Sequence, residues 1–418
     1  MAAGRASVLM GLAWRNVWRN RRRTTLNVVA LTVGMGILVL ALGWIGGYHT
    51  YIFDTLKDFQ TGEVQVMHRE WYGERTRLPV DLLVPNYRAL RDDLARVPGV
   101  RAVTGRVLFS ARVSTGRQGW RSVLTAIDLD HESSVGVLGE YLQSGAITGE
   151  GDQRGLWVGS PVAEKAGIGV GDTVFLRAVN RHGVENLYDA PVRGVFSYGY
   201  PALDQTMVYV DMVTATELLD LDGAVTHLVL RLDPAVTPRQ GVEELRAVLS
   251  SREEVQVRPW QDFARAAVSA VRQDVNSFTI MIIVMYLLIV LGILNSMSMS
   301  VYERTREIGT VRAIGMRGRS LLAMFALESL WQALIAAALA LTITAPIAWW
   351  LANTGVDLTS SMPAELPVPF GERFRADFAV GHYLFTVASG IGTALLGAII
   401  PARRASRLTV AEAMRTAG

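Results

Sequence analysis

Four long runs that are almost free of charge constrain this sequence more than any other feature. They cover residues 24–48, 275–302, 320–352 and 378–402, and Glu328 in the third run is the only Asp, Glu, Lys or Arg in any of them. A helix needs roughly 20 apolar residues to cross the hydrocarbon core of a bilayer. The sequence therefore predicts four transmembrane helices. The first run does not have the shape of a cleaved signal peptide.

The arginines predict how these spans are oriented. Residues 1–23, 303–319 and 403–418 contain six, five and four Arg, whereas 353–377 contains two Arg against four acidic residues. Short cytoplasmic segments are enriched in Arg and Lys. We therefore expect both termini and the 303–319 loop to be cytoplasmic, and the 49–274 region and the 353–377 loop to lie outside.

The region 49–274 has the pattern of a mixed α+β domain. A helix at 87–96 and a helix at 239–249 are each followed by a short turn and a strand, which suggests a pseudo-repeat whose strands share one sheet. The glycine-rich stretch 157–195 is typical of a small inserted β-rich subdomain. The predicted fold class is an α/β membrane protein, with four transmembrane helices and a large mixed α+β domain between the first and second.

We found little in this region that indicates catalysis. The sequence has no cysteine, which excludes disulfides, thiolate metal sites and a cysteine nucleophile. Asp128, Asp130, His131 and Glu132 cluster like metal ligands but lack the second His of a zincin helix, so we expect a solvated turn. The glycines of 167–171 predict a tight turn before a strand. No catalytic residue, metal site or nucleic-acid partner is predicted.

The segment 301–320 carries the most informative pattern. Apolar residues recur at helical spacing on one face, and charged residues fill much of the remainder, which is typical of a short amphipathic helix at a membrane surface. A loop that only sets topology needs no carboxylates, so Glu303 and Glu307 indicate a cationic partner. The apolar residues are Val301, Ile308, Val311 and Ile314.

This segment closely resembles the cytoplasmic loop of FtsX-like permeases, the family that includes MacB-type exporters and the lipoprotein-releasing Lol permeases. Residues 401–408 and 12–24 are similar to that family's C-terminal tail and N-terminal helix. Residues 158–174 resemble the MacB-type periplasmic domain, and the strand at 61–66 resembles the Lol type more. The resemblance implies a coupling helix that docks on an ATPase through Glu303, Arg304, Arg306, Glu307, Ile308, Gly309 and Arg312.

The resemblance also implies partners. We expect two copies of a separate ATPase subunit to bind ATP and magnesium, because neither Lys57 nor Lys165 lies in a Walker A frame. The chain itself is then a non-catalytic subunit without a bound cofactor. It would pair with a second permease, identical or homologous, in the bacterial inner membrane.

The cargo stays open among several alternatives. The Lol-like features favour release of lipoprotein or lipid-linked cargo by mechanotransmission, in which motor movement reaches the outer domain through the spans. MacB-like efflux of peptides or drugs, with a periplasmic adaptor, is the next alternative. FtsX-like regulation of a cell-wall hydrolase is the third, and the large size of the outer region argues against it.

Two further sites are predicted within the membrane region. Trp14, Arg15, Trp18 and Arg19 are expected to anchor the N-terminal amphipathic helix to membrane lipid. Glu328 is either a functional intramembrane carboxylate or a residue near the cytoplasmic headgroups, because its helix enters the bilayer late.

Overall fold

The computed structural model describes residues 2–19, 21–147, 154–199, 204–356 and 374–407, with side chains from residue 9 onward. The chain divides into two compact units. The helical unit contains the chain up to His49, Ala270–Val356 and the chain from Phe374, and the sheet domain contains Thr50–Ser269.

The α-helices, in chain order, are α1 Ala2–Arg19, α2 Arg21–Leu56, α3 Trp71–Glu74, α4 Tyr87–Leu94, α5 Leu129–Glu132, α6 Ser160–Ala166, α7 Met212–Leu219, α8 Pro238–Val248, α9 Arg265–Glu303, α10 Thr305–Ala313, α11 Gly318–Asn353 and α12 Val380–Arg407. The strands are β1 Val64–His68, β2 Val100–Ser114, β3 Gly119–Ile127, β4 Leu142–Gly145, β5 Leu156–Gly159, β6 Thr173–Val179, β7 Glu185–Phe196, β8 Met207–Asp211, β9 His227–Leu232 and β10 Val255–Pro259.

Four helices of the described chain are long and apolar enough to cross a membrane, as the sequence predicts. They are α2 with its continuation to Thr61, α9, α11 and α12, and they contain 41, 39, 36 and 28 residues. Each helix is longer than its uncharged run, because polar residues continue the helix past the apolar stretch. Small residues allow close packing in this unit. A Cβ on Gly397 of α12, for example, would lie 2.8 Å from Ile293 of α9.

The sheet domain is built on one ten-stranded sheet. Its order is β10-β1-β9-β2-β3-β8-β5-β7-β4, and β6 pairs with β2 and β7. The pairs β3–β8 and β5–β7 are parallel, and the other pairs are antiparallel. The main core lies on one face, where α4, α7 and α8 contribute Leu90, Leu218 and Leu245.

Most local predictions for this domain are confirmed. The predicted helices correspond to α4 and α8, and α8 begins with a capping box between Thr237 and Gln240. The strands that follow them, β2 and β10, belong to the same sheet, as the pseudo-repeat predicts. The prediction of an inserted subdomain was wrong. β5 pairs with β8, β6 pairs with β2, and β7 pairs with both β5 and β6, so these strands extend the one sheet.

Candidate functional site

The segment that resembles a coupling helix folds as a short helix set between two long ones. α9 ends at Glu303, the backbone turns at Arg304, α10 covers Thr305–Ala313, and α11 begins at Gly318. Gly315 has a φ of +101°, a conformation that glycine adopts without steric cost. Gly315 therefore favours the turn that follows α10.

The apolar residues of this segment point in two directions. Val301 and Ile308 are buried and pack against Leu321 of α11 and Ala402 of α12. Ile314, by contrast, is 83% exposed. The expectation of one continuous apolar face was wrong, because the break at Arg304 interrupts the helical periodicity. One part of the segment packs on its own bundle and the other part is uncovered.

The two carboxylates of the segment meet arginines of the same chain. Glu307 accepts hydrogen bonds from both terminal guanidinium nitrogens of Arg19, and the Nη1 bond is 3.1 Å long. Glu303 forms an ion pair with Arg23 at 3.3 Å. Both carboxylates are thus contacted by residues from α1 and from the start of α2. Their docking onto a cationic partner stays a prediction.

The basic residues of the segment differ in their surroundings. Arg312 donates a hydrogen bond from Nη1 to the backbone carbonyl of Ser406 at 3.2 Å, which connects α10 to the end of α12. Arg304 is buried, whereas Arg306 is exposed. Gly309 is also buried, so the helix backbone lies close to the bundle at that point.

Glu328 lies inside the helical unit. Its side chain is fully buried, and its Oε2 is 3.7 Å from Nη1 of Arg304. One turn further along α11, Gln332 accepts a hydrogen bond of 3.0 Å from Asn27 of α2. A carboxylate among lipid headgroups would be exposed. Glu328 is instead enclosed by the bundle beside Arg304, and its role as a functional intramembrane carboxylate stays a prediction.

The residues predicted to anchor the N-terminal helix lie on its outer side. Trp14, Arg15, Trp18 and Arg19 are all exposed, while Ala13 and Val17 are buried. The ring of Trp14 packs edge-on at 4.9 Å from Trp331 of α11. This arrangement leaves aromatic and basic side chains together on one outer surface, and their binding to lipid stays a prediction.

A buried connection that no sequence pattern indicated lies where the chain continues from α2 into the sheet domain. Residues Lys57–Thr61 form a π-helical turn, which we call the junction turn. Its Phe59 side chain is buried and stacks on Tyr198 with ring centroids 3.8 Å apart. The Tyr209 hydroxyl donates to the Phe59 carbonyl at 3.2 Å, and Arg106 donates to the Gln60 carbonyl at 3.0 Å. Single π turns are frequent at functional sites.

Arg106 is at the centre of this connection. It forms a buried ion pair with Glu132, with its Nε 3.2 Å from Oε2. Complete burial works to lower the pKa of Arg106, but the Glu132 carboxylate outweighs burial and holds that pKa above its ordinary value. Burial raises the pKa of Tyr209. Arg106 thus stays charged and the Tyr209 phenol stays neutral over the physiological range.

The acidic cluster near Glu132 is not the solvated turn that we expected. Asp128 is buried and accepts a 2.8 Å hydrogen bond from the Tyr87 hydroxyl, and Glu132 is buried against Arg106. Asp130 is exposed. Within the described parts of the chain, no group of acidic and His residues could hold a metal ion. The cluster is structural because its buried carboxylates meet donors from distant elements.

The glycine turn was predicted correctly. Gly167 ends α6 with a φ of +64°, Gly171 has a φ of +97°, and β6 begins at Thr173.

Four long apolar helices joined to a mixed α/β domain define a multi-pass membrane protein. Matches to known protein families identify which class of membrane protein it is. The model described as MacB-like periplasmic core domain matches residues 24–248, and the model described as FtsX-like permease C-terminal matches residues 279–410. The chain belongs to the MacB/FtsX-like family of ABC transporter permeases.

Individual relatives are distant. A macrolide export ATP-binding/permease protein MacB of Bordetella avium is 23% identical over 426 residues, which cover 98% of this chain and 60% of that protein. The lipoprotein-releasing system transmembrane protein LolC of Neisseria meningitidis serogroup B is 24% identical over 286 residues, which cover 64% of this chain and 66% of that protein. The chain spans about three fifths of the length of the MacB relatives.

Several solved structures also match. The periplasmic region of MacB from Actinobacillus actinomycetemcomitans aligns with 51% of this chain and 96% of that chain, at 14% identity and a TM-score of 0.37.

Proposed function

We propose that this permease couples ATP hydrolysis by a separate ATPase subunit to substrate handling outside the cytoplasm, by mechanotransmission. In this proposal two ATPase subunits bind ATP and magnesium in the cytoplasm, and a second permease, identical or homologous, completes the complex. The observation that carries the proposal is the segment around α10, which contacts α2, α11 and α12 and still has exposed apolar residues at both of its ends.

The exposed residues of this segment suit a protein partner. Tyr302 and Ile314 are 78% and 83% exposed, and Arg306 is exposed between them in the sequence. Aromatic side chains and Arg are enriched at protein interfaces. The predicted orientation puts these residues in the cytoplasm, where the ATPase would be.

The buried side of the segment gives docking a mechanical consequence. Arg304 pairs with Glu328 of α11, and Arg312 bonds to the end of α12. Arg19 and Arg23 connect the same segment to α1 and α2. A force applied to this segment would therefore reach α2, α11 and α12 through these side-chain contacts, and α9 through the backbone. Along α2 it would reach the junction turn and the sheet domain.

Substitution of Ile314 by Asp tests the docking role. Ile314 is so exposed that the variant should fold and insert normally, but a carboxylate in an apolar interface should prevent association with the ATPase. The measurement is co-purification of ATP-hydrolysing activity with the permease. Val179→Asp is the matched control, because Val179 is an exposed apolar residue of β6 in the sheet domain. An Ile314→Asp permease that retains its ATPase would refute the docking surface.

For the cargo, we propose lipoprotein or another lipid-linked molecule. The relative named for lipoprotein release supports this, because this chain covers 66% of that relative, a larger share than it covers of the MacB relatives. Macrolide export is the second candidate, because the MacB relative aligns with 98% of this chain.

Reconstitution of the permease with its ATPase in vesicles distinguishes the two cargo candidates. ATP-dependent release of a fluorescent acylated protein supports lipoprotein cargo. Stimulation of ATP hydrolysis by a macrolide, without release of the acylated protein, would support macrolide export instead.

A further inference from the structure

The second face of the sheet, opposite the main core, holds a cavity of about 530 Å³. Residues of β2 alternate between the two faces: Val107 and Phe109 lie in the core, while Arg106 and Leu108 line the cavity. This volume is within the usual range of small-ligand pockets, roughly 300–1,000 Å³. The sheet domain thus has room for a small molecule.

The cavity wall is apolar in one part and cationic in another. Trp71, Leu108 and Phe263 form part of the apolar wall, and Arg106 and Arg121 also line it. Among the described residues that line this cavity, none is Asp or Glu. Arg106 already pairs with Glu132. Arg121 is exposed, and it is therefore the cation that a ligand could reach.

The arginine belongs to a row of like charges across three strands. In the sheet register Arg121 of β3 lies opposite Arg112 of β2, and Arg112 lies opposite Arg177 of β6. Residues that face each other in a ladder point to the same side of the sheet, and like charges in that position repel. Of the three, Arg177 has Glu185 at 3.9 Å. An anion bound along the row would relieve this repulsion.

The cavity meets this row at Arg121, whereas Arg112 and Arg177 line neither this cavity nor its neighbour. A second cavity of about 620 Å³ shares Trp120, Arg121 and Gln205 with the first, and its lining includes Lys165. None of the described residues that line it is acidic. Leu108 and Arg112 are four residues apart on the same face of β2, which is about 13 Å along a strand. A ligand that reaches both must therefore be elongated.

We propose that the first cavity, together with the neighbouring Arg121 and Arg112 side chains, binds a single-chain amphiphile with an anionic head. The apolar chain packs against Trp71, Leu108 and Phe263, and the head lies at Arg121 and Arg112. A carboxylate and a phosphate would satisfy the arginines in the same way. Binding belongs to the sheet domain alone, so it needs neither nucleotide nor ATPase and does not depend on the transport cycle proposed above.

The test uses the full chain in nanodiscs of neutral phosphatidylcholine, without ATP or ATPase. The probes are photoactivatable forms of palmitate, lysophosphatidate and hexadecanol, and labelled peptides are identified by mass spectrometry. We expect palmitate or lysophosphatidate, or both, to label peptides that contain Trp71 or Leu108. The comparison between these two defines whether the head is a carboxylate or a phosphate. Hexadecanol should label the same peptides more weakly.

Three variants make the test specific. Leu108→Trp fills the apolar part and should lower labelling at least about tenfold for every probe. The control Val248→Trp, at an exposed position of α8, should not change it. Arg112→Gln with Arg121→Gln should weaken labelling by the anionic probes about fivefold and leave hexadecanol unchanged. Arg96→Gln with Arg239→Gln, at two exposed positions, removes the same net charge and is the control for the arginine variant.

Thermal unfolding of each variant establishes that it is folded. Labelling that Leu108→Trp leaves intact, or that falls only on the long apolar helices, would overturn the site. Equal labelling by hexadecanol and the anionic probes, with no effect of the arginine substitutions, would overturn the anionic head.

Discussion

Substitution of Arg304 by Met should destabilise the helical unit strongly. The Arg304 and Glu328 side chains are 10% and 0% exposed and 3.7 Å apart. At an effective dielectric constant near 20, two unit charges at this distance attract each other by about 4 kcal/mol. Loss of one partner from a buried pair costs roughly 3–5 kcal/mol, because the remaining charge is left uncompensated. Arg23 also interacts electrostatically with Glu328, so we expect a loss near the lower limit, about 3 kcal/mol.

A double-mutant cycle measures the interaction. Arg304→Met and Glu328→Leu should each lower stability, and the double variant should recover most of the loss, because an apolar pair of similar volume leaves no buried charge. The assay is denaturant unfolding in nanodiscs followed by tryptophan fluorescence. Additive losses in the double variant would refute the ion pair. ATPase stimulation by the stable double variant then reports separately whether the pair transmits movement.

The remaining predictions concern three other contacts. Glu307→Lys should abolish ATPase stimulation without preventing membrane insertion. Arg19→Glu combined with it should restore stimulation, because the charge swap rebuilds a half-exposed ion pair of about 1 kcal/mol or less. If the swap fails and Arg19→Gln has normal activity, Glu307 contacts a partner instead. Phe59→Ala should lower the stability of the sheet domain by roughly 3 kcal/mol in thermal unfolding, because it empties a buried aromatic site, whereas Phe59→Leu should lose clearly less. Burial, together with the Arg106 charge, lowers the pKa of His227 to about 3, so the unfolded chain binds more protons between about pH 6.5 and 3, and stability should fall by about 1.4 kcal/mol per pH unit as the solution is acidified through that range. An unchanged slope in His227→Asn would contradict this last prediction.

The parts of the structure that depend on local sequence could be predicted. The four long helices follow from uncharged length, the helices α4 and α8 from apolar spacing, and the turn at Gly171 from glycine content. The presence of a short helix in the 303–319 loop follows from the pattern that carries the family resemblance, but the break at Arg304 does not. In each case the signal lies within one short stretch of chain.

The parts that depend on distant residues could not be predicted. Glu132 is buried because Arg106 lies beside it, 26 residues away in sequence. The strands β5 to β7 join the main sheet through β8 and β2, and nothing within 157–195 specifies those partners. Likewise, the contact of Glu307 with Arg19 joins residues 288 positions apart. A carboxylate that looks available for an external partner can therefore already be bound.

The junction turn determines how the sheet domain would respond to a pull on α2. Asp58 pairs with Arg231 of β9, the Phe59 carbonyl accepts from Tyr209 of β8, and the Gln60 carbonyl accepts from Arg106 of β2. Three consecutive residues are thus fastened to three different strands. Tension would be divided among these attachments at the same moment, so no single strand could be peeled from its neighbours first. The domain would be displaced as one body before any strand separated.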